Sequence, residues 1–168
     1  GRAGRAPERY VRLGHYQCVC RQGDFEANLQ TVIHGLELAA EARVQILSFP
    51  ESFLNGYFRK REDAEQHSFA VDSPTMRTVL ERTSRFDMVF MVGFNERRGD
   101  RIANTVAVIE RGKILGTYSK AFPGMYFEPG RDFPIFERHG LKFGLVICAD
   151  GGYIEPARIL ALKGAQVI

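Results

Sequence analysis

The sequence predicts an α/β fold. Short apolar runs alternate along the chain with stretches of helical periodicity. Three of these runs, 44–49, 88–94 and 142–147, lack the polar alternation of a half-exposed strand, which predicts a sheet covered on both faces. A length of 168 residues with 45% hydrophobic content suffices for one domain with a sizeable core.

The elements follow in order. Residues 1–10 read as a flexible, arginine-bearing tail and 11–168 as the domain. Arg12 to Val19 is predicted as the first strand. Asp24 is placed to cap a helix over 25–42, with Leu29, Val32, Ile33, Leu36 and Ala40 on its apolar face. Val44 to Phe49 is a buried strand that Pro50 ends, and Ser73-Pro74 starts a second helix with serine as N-cap and proline as first helical residue. Met88 to Phe94 is a further strand. Ala103 to Ile109 and Lys113 to Tyr118 form a hairpin around Arg111-Gly112. Residues 121–134 hold three of the seven prolines and are expected as irregular loop, with a short strand near Ile135. Lys142 to Ile147 then delivers Cys148, and Pro156 fits the first turn of a helix that Gly164 stops. Ala165 to Ile168 reads as a strand just begun, so a longer parent chain is expected.

Glu51, Lys120 and Cys148 each stand at or just past a strand end, where ligands collect in α/β sheets. A thiol at a strand-to-helix turn lies near unpaired helix N–H groups, whose field favours a negative sulfur. The three residue types suit one reaction. A carboxylate removes the thiol proton, the sulfur attacks an electrophilic carbon, and an ammonium stabilises the oxyanion or imidate that forms. The backbone N–H of Ala149 is placed to share that last task, and Tyr57 to line the pocket. Asp150 and Glu155 are expected to hydrogen-bond the turn and cap the following helix.

Composition narrows the alternatives. A net charge of +3, from 23 Lys+Arg against 20 Asp+Glu, does not argue for nucleic acid, and no apolar run reaches membrane-spanning length. Arg59-Lys60-Arg61 reads as a solvated helix face. Three cysteines form no disulfide framework. Cys18 and Cys20 read as small core residues sharing one strand face, and a reducing cytoplasm is expected. The four histidines show no metal-ligand spacing, and there is no glycine-rich phosphate loop.

Three segments together resemble the nitrilase superfamily of carbon-nitrogen hydrolases. Phe49-Pro50-Glu51-Ser52-Phe53-Leu54-Asn55-Gly56-Tyr57 resembles its glutamate motif, and Gly116-Thr117-Tyr118-Ser119-Lys120 its lysine motif. Gly144 to Ile168 resembles its cysteine motif, with Cys148, Asp150, Glu155, Ala157 and Arg158 in register. Gly23-Asp24 with Asn28-Leu29, and Tyr126-Phe127-Glu128-Pro129-Gly130, also match. The resemblance implies a four-layer α-β-β-α sandwich, incomplete here at the C-terminus, in a homodimer or larger homo-oligomer. It implies hydrolysis of a non-peptide carbon-nitrogen bond in an amide, N-carbamoyl or nitrile substrate through a thioester, with no metal and no cofactor. Many members carry a second glutamate after the lysine. Here Ala121 to Phe127 holds no acid, which leaves Glu128 as the candidate, and Phe122-Pro123-Gly124 replaces a segment that often holds histidine. Acyl transfer through the same thioester, an ammonia-supplying module of a synthetase and a non-catalytic scaffold are the competing readings.

Overall fold

The computed structural model describes residues 10–124 and 126–168, so the expected tail lies, but for Tyr10, outside the described residues. Its main sheet has five strands in the order β1 (Leu13–His15), β2 (Ile46–Ser48), β3 (Val89–Arg98), β4 (Arg101–Glu110) and β5 (Lys113–Ser119). The first three run parallel, and β3, β4 and β5 run antiparallel. Helix α1 (Phe25–Glu41) connects β1 to β2, while α2 (Arg61–His67) and α3 (Pro74–Thr83) lie between β2 and β3. A two-stranded ribbon, β6 (Phe136–Arg138) with β7 (Leu141–Phe143), precedes a 3₁₀ turn at Cys148–Gly152 and helix α4 (Ile154–Leu162).

Apolar runs without alternation are explained by two cores, one on each face of the sheet. Phe90, Val92, Phe94, Ala107 and Ile109 pack against Leu29, Val32 and Leu36 of α1 and Met76 and Val79 of α3. The intervening side chains Val89, Met91 and Val108, with Ile46, meet Phe136 and Phe143 of the ribbon on the other face. Helices, sheet and second β layer thus stack in the order α-β-β, the first three layers of the expected sandwich. Both predicted N-caps are present. Asp24 Oδ1 accepts from Ala27 N at 3.0 Å, and Ser73 Oγ from Met76 N at 3.2 Å with Pro74 at the first helical position. On α1 it is Ala39, not Ala40, that is buried, with Asn28 and Gly35.

Several boundaries move. β1 is only as long as its single neighbour β2 allows, so the chain leaves the sheet after His15 and carries Cys18 and Cys20 outside any strand. β3 continues to Arg98 because β4 zips alongside it, and ladder hydrogen bonds need no apolar side chains. Arg111 and Gly112, both left-handed, make the predicted hairpin turn. The largest correction concerns the strand that ends before the nucleophile. β7 stops at Phe143, and 144–147 run without strand pairing, since only an isolated bridge from Phe143 to Val167 extends the ribbon. Helix α4 begins at Ile154, so Pro156 is its third residue, still within the turn whose N–H groups have no partner.

Gly93 shows how the sheet carries the glutamate loop. That loop lies so close across β3 that a Cβ at Gly93 would stand 2.5 Å from Ser52 N and 3.2 Å from the Glu51 carbonyl carbon. Gly93→Ala is expected to destabilise the fold by about 2 kcal/mol, since backbone must move to admit the methyl. The same change is expected to cut activity by displacing Glu51. Thermal unfolding and turnover measured together check this, and an unchanged melting point refutes the close contact.

Candidate active site

Three loops converge, one from each expected residue. Glu51 stands three residues beyond β2, in a tight turn where Ser52 is buried and left-handed. Asn55 fastens that turn, accepting from Asn95 N through Oδ1 at 2.8 Å and donating to the His67 carbonyl at 2.6 Å. Lys120 directly follows β5, and only 5% of its side chain is exposed. Its backbone N–H donates to Asn104 O at 2.8 Å, and its carbonyl accepts from Gly130 N at 2.8 Å. These bonds hold the ammonium over Glu51, where Nζ donates to Oε1 at 2.7 Å.

Electrostatics tie Cys148 to this pair. Burial works to lower the Lys120 pKa. The hydrogen bond and charge of Glu51, with smaller contributions from the neighbouring Cys148 and Tyr57, more than offset it, and the ammonium is held above the ordinary lysine value. A cation at this position therefore persists throughout the neutral range. Cys148 itself is exposed and has φ +44°, a left-handed backbone that is uncommon outside glycine and recurs at functional turns. The other two thiols differ. Cys18 and Cys20 are part-buried, and burial pushes both of them up from the usual thiol value, as suits small core residues.

Asp150 joins the cysteine turn to the lysine loop. Its fully buried carboxylate accepts from Phe122 N at 2.8 Å, from Ala121 N and Ile147 N at 3.3 Å each, and from the Tyr118 hydroxyl. Burial, then the hydrogen bond to Asp150, drive the Tyr118 phenol well above its ordinary range, so it stays a donor. The rings of Phe122 and Tyr153 stack 4.1 Å apart across the same junction. The turn-fastening role expected of Asp150 is therefore observed, whereas α4 has no side-chain cap. Asp150→Asn would turn an amide donor toward groups that are themselves donors. A loss of about 3 kcal/mol is expected, read as a lowered melting point, together with weaker activity. An unaltered melting point would refute the fastening role.

The remaining candidates are placed as follows. Ala149 is exposed beside Cys148. Tyr57 is 39% exposed, with its ring 6.1 Å from that of Phe127. Glu128 turns to Arg101, whose Nη1 donates to its Oε1 at 2.6 Å. Sequence reasoning missed Asn104, which lies in β4 and donates from Nδ2 to Glu51 Oε1 at 2.7 Å. The available signal was an asparagine inside an otherwise apolar strand, because a buried amide must find partners. Among the described residues no group of three or more His, Cys, Asp or Glu side chains could hold a metal ion, and no helix is long and apolar enough to cross a membrane.

The carbon-nitrogen hydrolase family model matches residues 12–168. A hydrolase encoded in the pqqF 5′ region of Pseudomonas protegens is 34% identical over 167 residues, covering 94% of this chain and 58% of that protein. The N-carbamoylputrescine amidase of Solanum tuberosum is 30% identical over 173 residues, covering 95% and 57%. A glutamate-to-glutamine variant of the amidase from Nesterenkonia sp. AN1, solved after Michael addition of acrylamide at its active-site cysteine, superposes with a TM-score of 0.83 at 25% identity, covering 94% of this chain and 65% of that one. The chain thus spans under six-tenths of the length of these curated relatives. With the match running through the glutamate, lysine and cysteine loops alike, this chain belongs to the carbon-nitrogen hydrolase family.

Proposed function

We propose that Glu51, Lys120 and Cys148 form a catalytic triad that hydrolyses a non-peptide carbon-nitrogen bond in a small amide, N-carbamoyl compound or nitrile. The observation that carries this reading is the Lys120–Glu51 pair at 2.7 Å, drawn from two separate strand ends with the lysine buried, and the cysteine turn fastened to the lysine loop through Asp150. Glu51 takes the Sγ proton as sulfur bonds to the substrate carbon. Lys120 and the Ala149 N–H stabilise the oxyanion. For an amide, the proton on Glu51 passes to nitrogen as the C–N bond breaks, leaving ammonia and a thioester. Glu51 then deprotonates a water that attacks the thioester carbon, and the proton returns to sulfur as the acid leaves. Tyr57 and Glu128 belong to this reading as substrate contacts, and Arg101 holds Glu128 in place. A homodimer or larger assembly and a cytoplasmic setting, which suits three free thiols, complete it.

Ammonia release tests the proposal. The full-length protein is offered aliphatic amides, dicarboxylic monoamides, N-carbamoyl amino acids and nitriles beside its Cys148→Ala form. Release from one class, absent in the variant, is expected. Release that survives Cys148→Ala removes the nucleophile from the mechanism. Silence across all classes, from a folded protein whose Cys148 still alkylates, favours acyl transfer or a scaffold.

A further inference from the structure

Asn104 touches both partners of the ion pair. Its side-chain Nδ2 donates to Glu51 Oε1 at 2.7 Å, while its backbone carbonyl accepts the Lys120 N–H at 2.8 Å. The residue is 1% exposed, so its amide cannot exchange these partners for water. Ser52 Oγ, from the glutamate turn, reaches its Oδ1 at 3.5 Å. On the neighbouring strand Asn95 stands opposite Asn104 and donates to the Gly56 carbonyl at 3.0 Å, so two adjacent strands grip the turn that carries Glu51.

The consequence lies in how the two carboxylate oxygens divide. Oε1 accepts twice, from Lys120 and from Asn104, each at 2.7 Å. Oε2 accepts no hydrogen bond from a described residue. Lys120 alone would leave the carboxylate free to swing either oxygen toward the ammonium. A second donor from a different strand fixes the plane. We infer that Asn104 is a positioning residue that commits Oε1 to the ion pair and leaves Oε2 as the oxygen that takes the Cys148 proton and returns it to the leaving nitrogen. The step balances: the S–H bond breaks as the Oε2–H bond forms, and later that bond breaks as an N–H bond forms on the departing amine. This inference rests on the hydrolase reading above and names which atom of its base does the work.

The test is Asn104→Asp, which keeps the shape but sets a second carboxylate against Oε1. The titratable groups gathered at this point are Glu51, Lys120, Cys148 and Tyr57. Two facing carboxylates resist being ionised together, so the base becomes available only at higher pH. The acid limb of the pH–rate profile is expected to move up by about one unit, with kcat lowered roughly 100-fold at pH 7 and KM changed less than threefold. A purely structural role would scale the profile without moving it, and that result overturns the inference. Should Asn104→Asp fail to fold, Asn104→Leu removes the donor without adding charge. Its kcat is expected to fall roughly 30-fold at nearly constant KM, and a raised KM with unchanged kcat overturns the inference. Cys148→Ala, assayed alongside, separates the two levels. If it stays active, the cysteine mechanism and the inference fall together. If it is inactive while both Asn104 variants match the parent, the inference alone falls.

Discussion

Cys148→Ala is expected to abolish ammonia release while leaving the fold intact. The two halves of that expectation have separate physical grounds. Without sulfur no thioester forms, and neither Lys120 nor Glu51 supplies a substitute nucleophile. The rate should fall by at least about 10⁴-fold, as when other nucleophiles are removed. Stability should change by less than about 1 kcal/mol, because Cys148 is exposed and its side chain fills no core position. The left-handed backbone adds a sharper test. At φ +44° an L-residue costs about 1 kcal/mol that glycine does not. Cys148→Gly should therefore be as inactive as Cys148→Ala yet melt at a higher temperature. Equal melting points would show that the turn stores no strain. Residual turnover in either variant, beyond what a contaminating activity explains, would remove Cys148 from the chemistry.

The parts of this site that were legible in the sequence are those where a side chain's chemistry and its place at a strand end coincide. Glu51 after Pro50, Lys120 after an apolar strand and Cys148 before a helical pattern all carry such marks. What was not legible is carried by contacts distant along the chain. Asn104 is 53 residues from Glu51, and its role depends on the β3–β4–β5 register, which no local pattern encodes. The sequence predicts that Asp150 fastens its own turn, but its bonds to Tyr118, Ala121 and Phe122 reach back 28 to 32 residues. The strand predicted before Cys148 is longer than the observed one for a related reason. The run Gly144 to Ile147 is apolar enough for a strand, but strand pairing requires a neighbour, and the described neighbour is a single bridge at Val167.

Lys120→Met separates a catalytic lysine from a structural one. The buried ammonium cost desolvation energy to place, so an apolar side chain of similar length regains part of what the lost ion pair gave up. Glu51 keeps its bond from Asn104, and with 22% of its side chain exposed it also keeps access to water. The expected loss of stability is therefore modest, about 1–2 kcal/mol. The transition state has no such alternatives. The charge developing on the substrate oxygen loses its fixed cation, and kcat should fall by about 10²- to 10³-fold, or roughly 3–4 kcal/mol. Activity should thus drop by more than stability does. Lys120→Arg is not expected to rescue it, since a planar guanidinium does not fit where a single Nζ is held at 2.7 Å in a nearly closed space. The pH dependence follows from the raised lysine pKa. The folded-state value lies above the unfolded one, so the ammonium's contribution is complete below about pH 10.4 and is lost only as pH rises through the higher folded value. An alkaline limb between pH 7 and 9 must then arise from another group. If Lys120→Met removes such a limb, the lysine itself titrates there and its raised pKa is refuted; if the variant leaves kcat within threefold of the parent, the lysine does not stabilise the oxyanion.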